Sequence, residues 1–144
     1  MRLVLDSNEY LFGLAPSPAV FPRSLLDLLS GTDLHAVRIQ RTIVREVQRR
    51  LPEPLHRAFH QTLEVILEDG FDIDEDFIIP HHIAQRYQDM GFKEGDAHIG
   101  AYAEVVEAEI LISENRRHFH ALADRLPFKV MDAAQFLKRH ASAR

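Results

Sequence analysis

The chain has 144 residues, 46% hydrophobic and 27% charged, a balance that fits one globular domain over residues 1–144 with its own core and excludes a largely disordered chain. It has no cysteine, which removes disulfides, thiolate catalysis, Cys-based zinc sites and iron–sulfur clusters and points to a cytoplasmic location. The net charge of −5 argues against non-specific nucleic-acid binding by the bare protein, but two divalent cations would cancel most of it, so a metal-dependent enzyme acting on nucleic acid stays open.

The opening MRLVLD is too short an apolar run for a signal peptide or a membrane span, so no membrane association is expected. Residues 2–6 read as a buried strand, followed by a helical turn over 9–14 and a break at Ala15-Pro16-Ser17-Pro18. Phe21, Leu25, Leu26, Leu28 and Leu29 recur at helical spacing over 20–29 until Ser30-Gly31, and residues 34–39 read as a second strand. Thr42 is placed as the N-cap of a helix over 43–51, and Pro52 and Pro54 separate it from an amphipathic helix over 55–67 that Gly70 ends.

The acid–hydrophobe alternation of 71–80 predicts an extended edge over Phe77–Ile79. Next come a helix over 81–90, a turn at Gly91, and a helix opened by Glu94-Gly95-Asp96 that turns Ile99, Tyr102, Ala103 and Val106 inward. Residues 109–113 form a short strand, 115–126 a helix, and "FKVM" a last strand before Asp132 caps "AAQFLKRH". Strands separated by helices of these lengths imply an α/β class with a mainly parallel sheet covered on both faces.

In such sheets ligands bind beyond the carboxyl ends of the strands, where strand order switches. Two strands end there on polar groups, one delivering Asp6 and the other Ser113, Glu114 and Asn115; Asp96 and Glu46 can reach the same rim from their helices. Carboxylates held together need raised pKa values or a cation, and oxygen donors without cysteine select Mg2+ or Mn2+. A cation there can activate water and stabilise a departing oxygen, which points to phosphodiester hydrolysis. Singly, each acid also has a structural reading: Asp6 as an N-cap, Asp96 on a helix dipole, Glu46 on a solvated Glu–Arg face.

Other signals are weaker. His56 and His60, and His118 and His120, lack an HExxH pattern or a third ligand, so packed or surface histidines are the preferred reading over zinc. Arg41, Arg45, Arg49 and Arg50 form a basic stripe that could guide RNA, bind an acidic segment of a partner, or simply be a solvated face paired with Glu46.

The residues resemble a PIN domain, the fold of VapC-type toxins and related metal-dependent ribonucleases. "LVLDSN" is similar to the family's opening strand and acid, "IVREV" to the region of its Glu, "EGDAHIGAYA" to the helix of its next Asp, and "EILISENRRHF" to its late strand and loop, in order and across nearly the whole chain. The resemblance implies a three-layer α/β/α fold and a metal-dependent endoribonuclease. Asp6, Glu46 and Asp96 would hold the metal, Asn115 or Glu114 would complete the shell, and Ser7, Asn8 and Ser113 would support it. Arg116, Arg117 and His118 are candidate substrate contacts. Asn115 stands where the family often has an Asp, which should weaken a second cation more than the first. Glu9 is read as facing solvent, with compensation for that lost charge as the alternative. The resemblance further implies the toxin role of a type II toxin–antitoxin pair, an antitoxin partner and a homodimer. A nuclease of general RNA processing and a non-cleaving RNA- or protein-binding domain are the rival readings.

Overall fold

Four apolar runs pair into one parallel sheet: β1 (Arg2–Leu5), β2 (Ala36–Arg38), β3 (Ile110–Ile112) and β4 (Lys129–Met131), in the order β2-β1-β3-β4. The computed structural model describes residues 1–69, 72–115 and 118–140. In β1, Leu3 pairs with Val37 on one side and Ile110 on the other, and Ile110 pairs in turn with Lys129. Leu3, Val4 and Leu5 of β1 and all of β3 are buried, as central parallel strands must be, while β4 begins exposed at the edge.

The helices are α1 (Ser7–Gly13), α2 (Val20–Ser30), α3 (Arg41–Arg50), α4 (His56–Ile66), α5 (His81–Asp89), α6 (Glu94–Val105) and α7 (Ala133–His140). They pack in two groups, α1 against α2 and α3 with α2 also on α4 and α7, and α5 against α6, giving a three-layer α/β/α arrangement. Residues 97 and 99–103 are all buried in α6, so this helix lies inside the molecule rather than on it. Its close contact with α5 needs Gly100, where a Cβ would come within 2.8 Å of the Tyr87 ring.

Three expected elements differ. Thr42 does not cap α3, whose N-cap is Gln40; its N–H and hydroxyl instead donate to the Asp76 carboxylate at 3.2 and 2.7 Å, so a distant acid satisfies the helix end. The edge over Phe77–Ile79 is a 3-10 turn, Asp76–Ile78, and Phe77 is 86% exposed. Asp74, Glu75 and Asp76 bind Arg38, Arg41 and Thr42, and an extended strand would send alternate side chains to opposite faces. The helix over 115–126 is reduced to a 3-10 segment, His120–Arg125, because Asn115 and His118 are drawn to Asp96 and Phe119 is fully buried against Phe92. Gly70, expected to stop α4, lies outside the described residues; α4 ends with Leu67 as its C-cap.

Asp74 ties β2 to α6. Its carboxylate accepts two hydrogen bonds from Arg38 of β2, at 3.0 and 2.7 Å, and one from the Tyr102 hydroxyl of α6 at 2.5 Å. Its backbone makes an isolated parallel bridge to Gln40, with Asp74 N–H donating to the Ile39 carbonyl and Arg41 N–H donating to the Asp74 carbonyl. Asp74→Ala is expected to lower stability by about 2–4 kcal/mol, because a half-buried guanidinium and a buried phenol both lose their acceptor. A urea melt would read this directly, and an unchanged midpoint would show that the contacts are replaced.

Candidate active site

Asp6 follows the last residue of β1 at the point where strand order switches between β1 and β3. Its own N–H donates to the Ile112 carbonyl, which locks it to the end of β3. The carboxylate is buried and accepts from the Ser7 N–H at 2.8 Å and the Ser113 hydroxyl at 2.9 Å, with the Ser7 hydroxyl at 3.5 Å. Burial raises its pKa; the Ser113 and Ser7 hydrogen bonds oppose that rise, and the charges of Asp96 and Glu46 add to it. Asp6, Asp96 and Glu46 therefore share one electrostatic neighbourhood although they come from β1, α6 and α3.

Asp96 lies in the first turn of α6 and is half-buried. Its Oδ2 accepts from Asn115 Nδ2 at 3.2 Å and faces His118 Nδ1 at 2.7 Å, while Asn115 Nδ2 also lies 3.0 Å from the same His118 nitrogen. One Nδ1 cannot both donate to Asp96 and accept from Asn115, and the shorter contact favours Nδ1–H donating to the carboxylate. Asn115 N–H donates to Ser113 Oγ at 3.0 Å, so Ser113 and Asn115, just after β3, link Asp6 to Asp96. Glu46, its side chain 33% exposed, accepts from Arg50 Nη1 at 3.4 Å.

Beside Asp6 the structure corrects one expectation. Glu9 does not face solvent: it is 0% exposed, no N–H or hydroxyl donor satisfies its oxygens, and its hydrogen-bond partner is the Glu114 carboxyl. Burial first, then the neighbouring Glu114, Asp6 and Asp132, push its pKa up to about 9. In sequence Glu9 is an ordinary first-turn position, but α2 and α3 cover α1 and remove it from water. Glu114, expected as a ligand, accepts from the Ala133 N–H at 3.1 Å at the start of α7. Asp132, read only as a cap, does cap α7 through Gln135 N–H at 2.8 Å and also adds its charge to this acidic corner. Its place directly after β4 was the signal available in the sequence.

Of the remaining expected residues, Ser7 and Ser113 sit on Asp6, Asn8 is half-buried beside them, and His118 is on Asp96. Arg116 and Arg117 lie outside the described residues. In the basic stripe Arg41 pairs with Glu75 at 2.8 Å and Arg50 with Glu46, while Arg45 and Arg49 are exposed. His56 donates to the Leu51 carbonyl at 2.8 Å and His60 accepts from Gln48 at 3.1 Å.

A chain in the crystal structure of VapBC2 from Rickettsia felis bound to a DNA fragment from their promoter superposes with a TM-score of 0.62 and 15% identity, over 92% of this chain and 98% of that one. The fold is PIN-like. FitAcB from Neisseria gonorrhoeae gives a TM-score of 0.59 and 18% identity over the same shares. No family model matches the sequence, and no curated protein matches it. The PIN-like fold therefore rests on shape and topology, with the carboxylates at its switch point.

The donor set of the PIN-like rim suits a hard cation in its chemistry: every candidate is a carboxylate or amide oxygen, and Asp6 is a buried carboxylate that other acids adjoin. Among the described residues no three His, Cys, Asp or Glu side chains are placed so as to hold a metal ion between them. None of the described helices is long and apolar enough to cross a membrane.

Proposed function

We propose that this chain is a Mg2+- or Mn2+-dependent endoribonuclease and the toxin of a type II toxin–antitoxin pair. One observation carries the reading: Asp6, buried at the β1/β3 switch point, is oriented by Ser113 and Ser7 and lies in the combined field of Asp96 and Glu46. A bound divalent ion would lower the pKa of a water and neutralise charge on a phosphodiester.

Asp6, Asp96 and Glu46 would hold that ion by closing on it, since no three acids among the described residues converge without it, and Asn115 or Glu114 would complete its shell. Ser113 and Ser7 keep the Asp6 carboxylate turned to the rim, and Asn115 and His118 restrain Asp96. Arg45 and Arg49, exposed one helical turn apart on α3, supply positive charge for an RNA backbone. Support for the toxin role comes from VapBC2 and FitAcB, which are toxin–antitoxin complexes. On this reading the protein is cytoplasmic, associates as a homodimer and is held inactive by a small antitoxin.

The test is cleavage of a mixed small-RNA pool by the purified protein in Mn2+, in Mg2+ and in EDTA, with Asp96→Asn prepared in parallel. Cutting that requires the cation and disappears in the variant supports the nuclease. If no RNA is cut under either metal, the reading fails, and Asn115, neutral beside Asp96, becomes the mark of a domain that binds without cleaving.

A further inference from the structure

Among the described residues β4 is the outer strand of the sheet, with β3 on one side and an open edge on the other. Its Lys129 N–H donates to the Glu109 carbonyl and its Met131 carbonyl accepts from the Ser113 N–H. Bonded residues alternate along a parallel strand, so Val130 between them turns its N–H and carbonyl to the open edge. A groove of about 1070 Å3 runs along that edge, lined by Leu126, Val130 and Met131 and by the exposed cations Lys129, Lys138 and Arg139. It opens between the two helical layers. On one side lies α7, which packs on α2 and carries Lys138 and Arg139. On the other lie half-buried Ala123 and Leu126, in the stretch after Phe119, which packs on Phe92 and beside Gly100 of α6.

We propose that this groove takes an extended segment of a partner protein in which acidic and apolar residues alternate, added to β4 as a further strand. A free strand edge is a template for such addition, and successive side chains of an extended segment point to opposite faces. The two walls differ in the same way: one set of side chains would meet Lys138 and Arg139, the other Ala123 and Leu126. Glu109 and Asp124 also line the groove, which disfavours an RNA backbone, anionic at every unit, and is tolerated by a segment whose acids sit only at alternate positions. The chain's own acid–hydrophobe run is already engaged, with Asp74, Glu75 and Asp76 held by Arg38, Arg41 and Thr42, so a second copy would have to break those bonds to supply the strand. The inference is independent of the nuclease reading, because the groove shares no residue with Asp6, Glu46 and Asp96.

The experiment is fluorescence anisotropy on the full chain with a labelled synthetic peptide of alternating Asp and Val, at low and at raised ionic strength. It compares wild type, the double variant Lys138→Glu with Arg139→Glu, and Val130→Pro. Proline removes only the outward N–H and is accepted on the free side of an edge strand, so the ladder to β3 stays intact. The expected result is saturable binding by wild type that weakens as salt rises, and a loss of about tenfold or more in each variant. In the complex the Val130 N–H should exchange with solvent more slowly. Circular dichroism checks folding, and if the proline variant is damaged the double variant, altered only at exposed side chains, carries the test. No binding by wild type, equal binding of a Lys–Val peptide, or wild-type affinity in the folded variants would overturn the proposal. So would single-stranded RNA that displaces the peptide and is lost in the double variant, or dimers of the free chain that the double variant dissolves, since the groove would then belong to nucleic acid or to a second copy.

Discussion

Asp6→Asn and Asp96→Asn are each expected to lower the rate of metal-dependent RNA cleavage by roughly 100- to 1000-fold, the equivalent of several kcal/mol of transition-state stabilisation. The substitutions keep shape and hydrogen bonding. An amide oxygen at position 6 can still accept from the Ser7 N–H and the Ser113 hydroxyl, and one at position 96 can still accept from Asn115 and His118. What each removes is a full negative charge from the shared field around Asp6. Without added metal that removal relieves repulsion and desolvation, so melting temperature should stay level or rise by a few degrees. The combination matters: lost activity with a lower melting temperature would mean only that the fold is damaged. Unchanged cleavage in both variants would remove the carboxylates from the mechanism.

The second large effect concerns stability against pH and belongs to Glu9. In the unfolded chain its carboxyl has the ordinary value of 4.5, and in the fold burial and the adjoining acids bring it to about 9. Between those values the native state holds a proton that the unfolded state has released, so raising the pH favours unfolding. This contribution is fully present below pH 4.5 and is lost as pH climbs toward 9, at up to about 1.4 kcal/mol per pH unit. Asp6, also raised, acts in the same sense. Glu9→Leu should flatten the decline and, in EDTA at pH 8, stabilise the protein by roughly 2–4 kcal/mol after relaxation of the site is allowed for. Urea midpoints of wild type and variant at pH 5, 7 and 9 measure this. Parallel slopes would show that Glu9 does not keep its proton in the fold.

These two effects have one physical origin. The rim concentrates carboxyl groups at the ends of buried strands, which makes the cation-free protein less stable than its apolar core would allow. On the proposed function, the same concentration of carboxyl groups is what would bind the cation. Variants that neutralise the acids should therefore be more stable and less active, the usual trade at a functional site.

The sequence alone determined the α/β class, the main strands and long helices, and the order in which Asp6, Glu46, Asp96 and Asn115 arrive at one edge. It could do so because these features are local: short apolar runs that end on polar residues, and apolar positions recurring at helical spacing through α2, α4 and α6. The tertiary structure decided what depends on distant partners. Asp76 reaches Thr42 across the fold and takes over the helix cap, and the consecutive acids 74–76 become a clasp for β2, α3 and α6 instead of an edge strand. Asp96 gathers Asn115 and His118, which unmakes an expected helix. Glu9 shows the limit best. In its own helix it occupies an ordinary first-turn position, and only the packing of α2 and α3 over α1 removes it from water. Burial is a property of neighbours, so the acid that most distinguishes this rim could not be recognised from residue order.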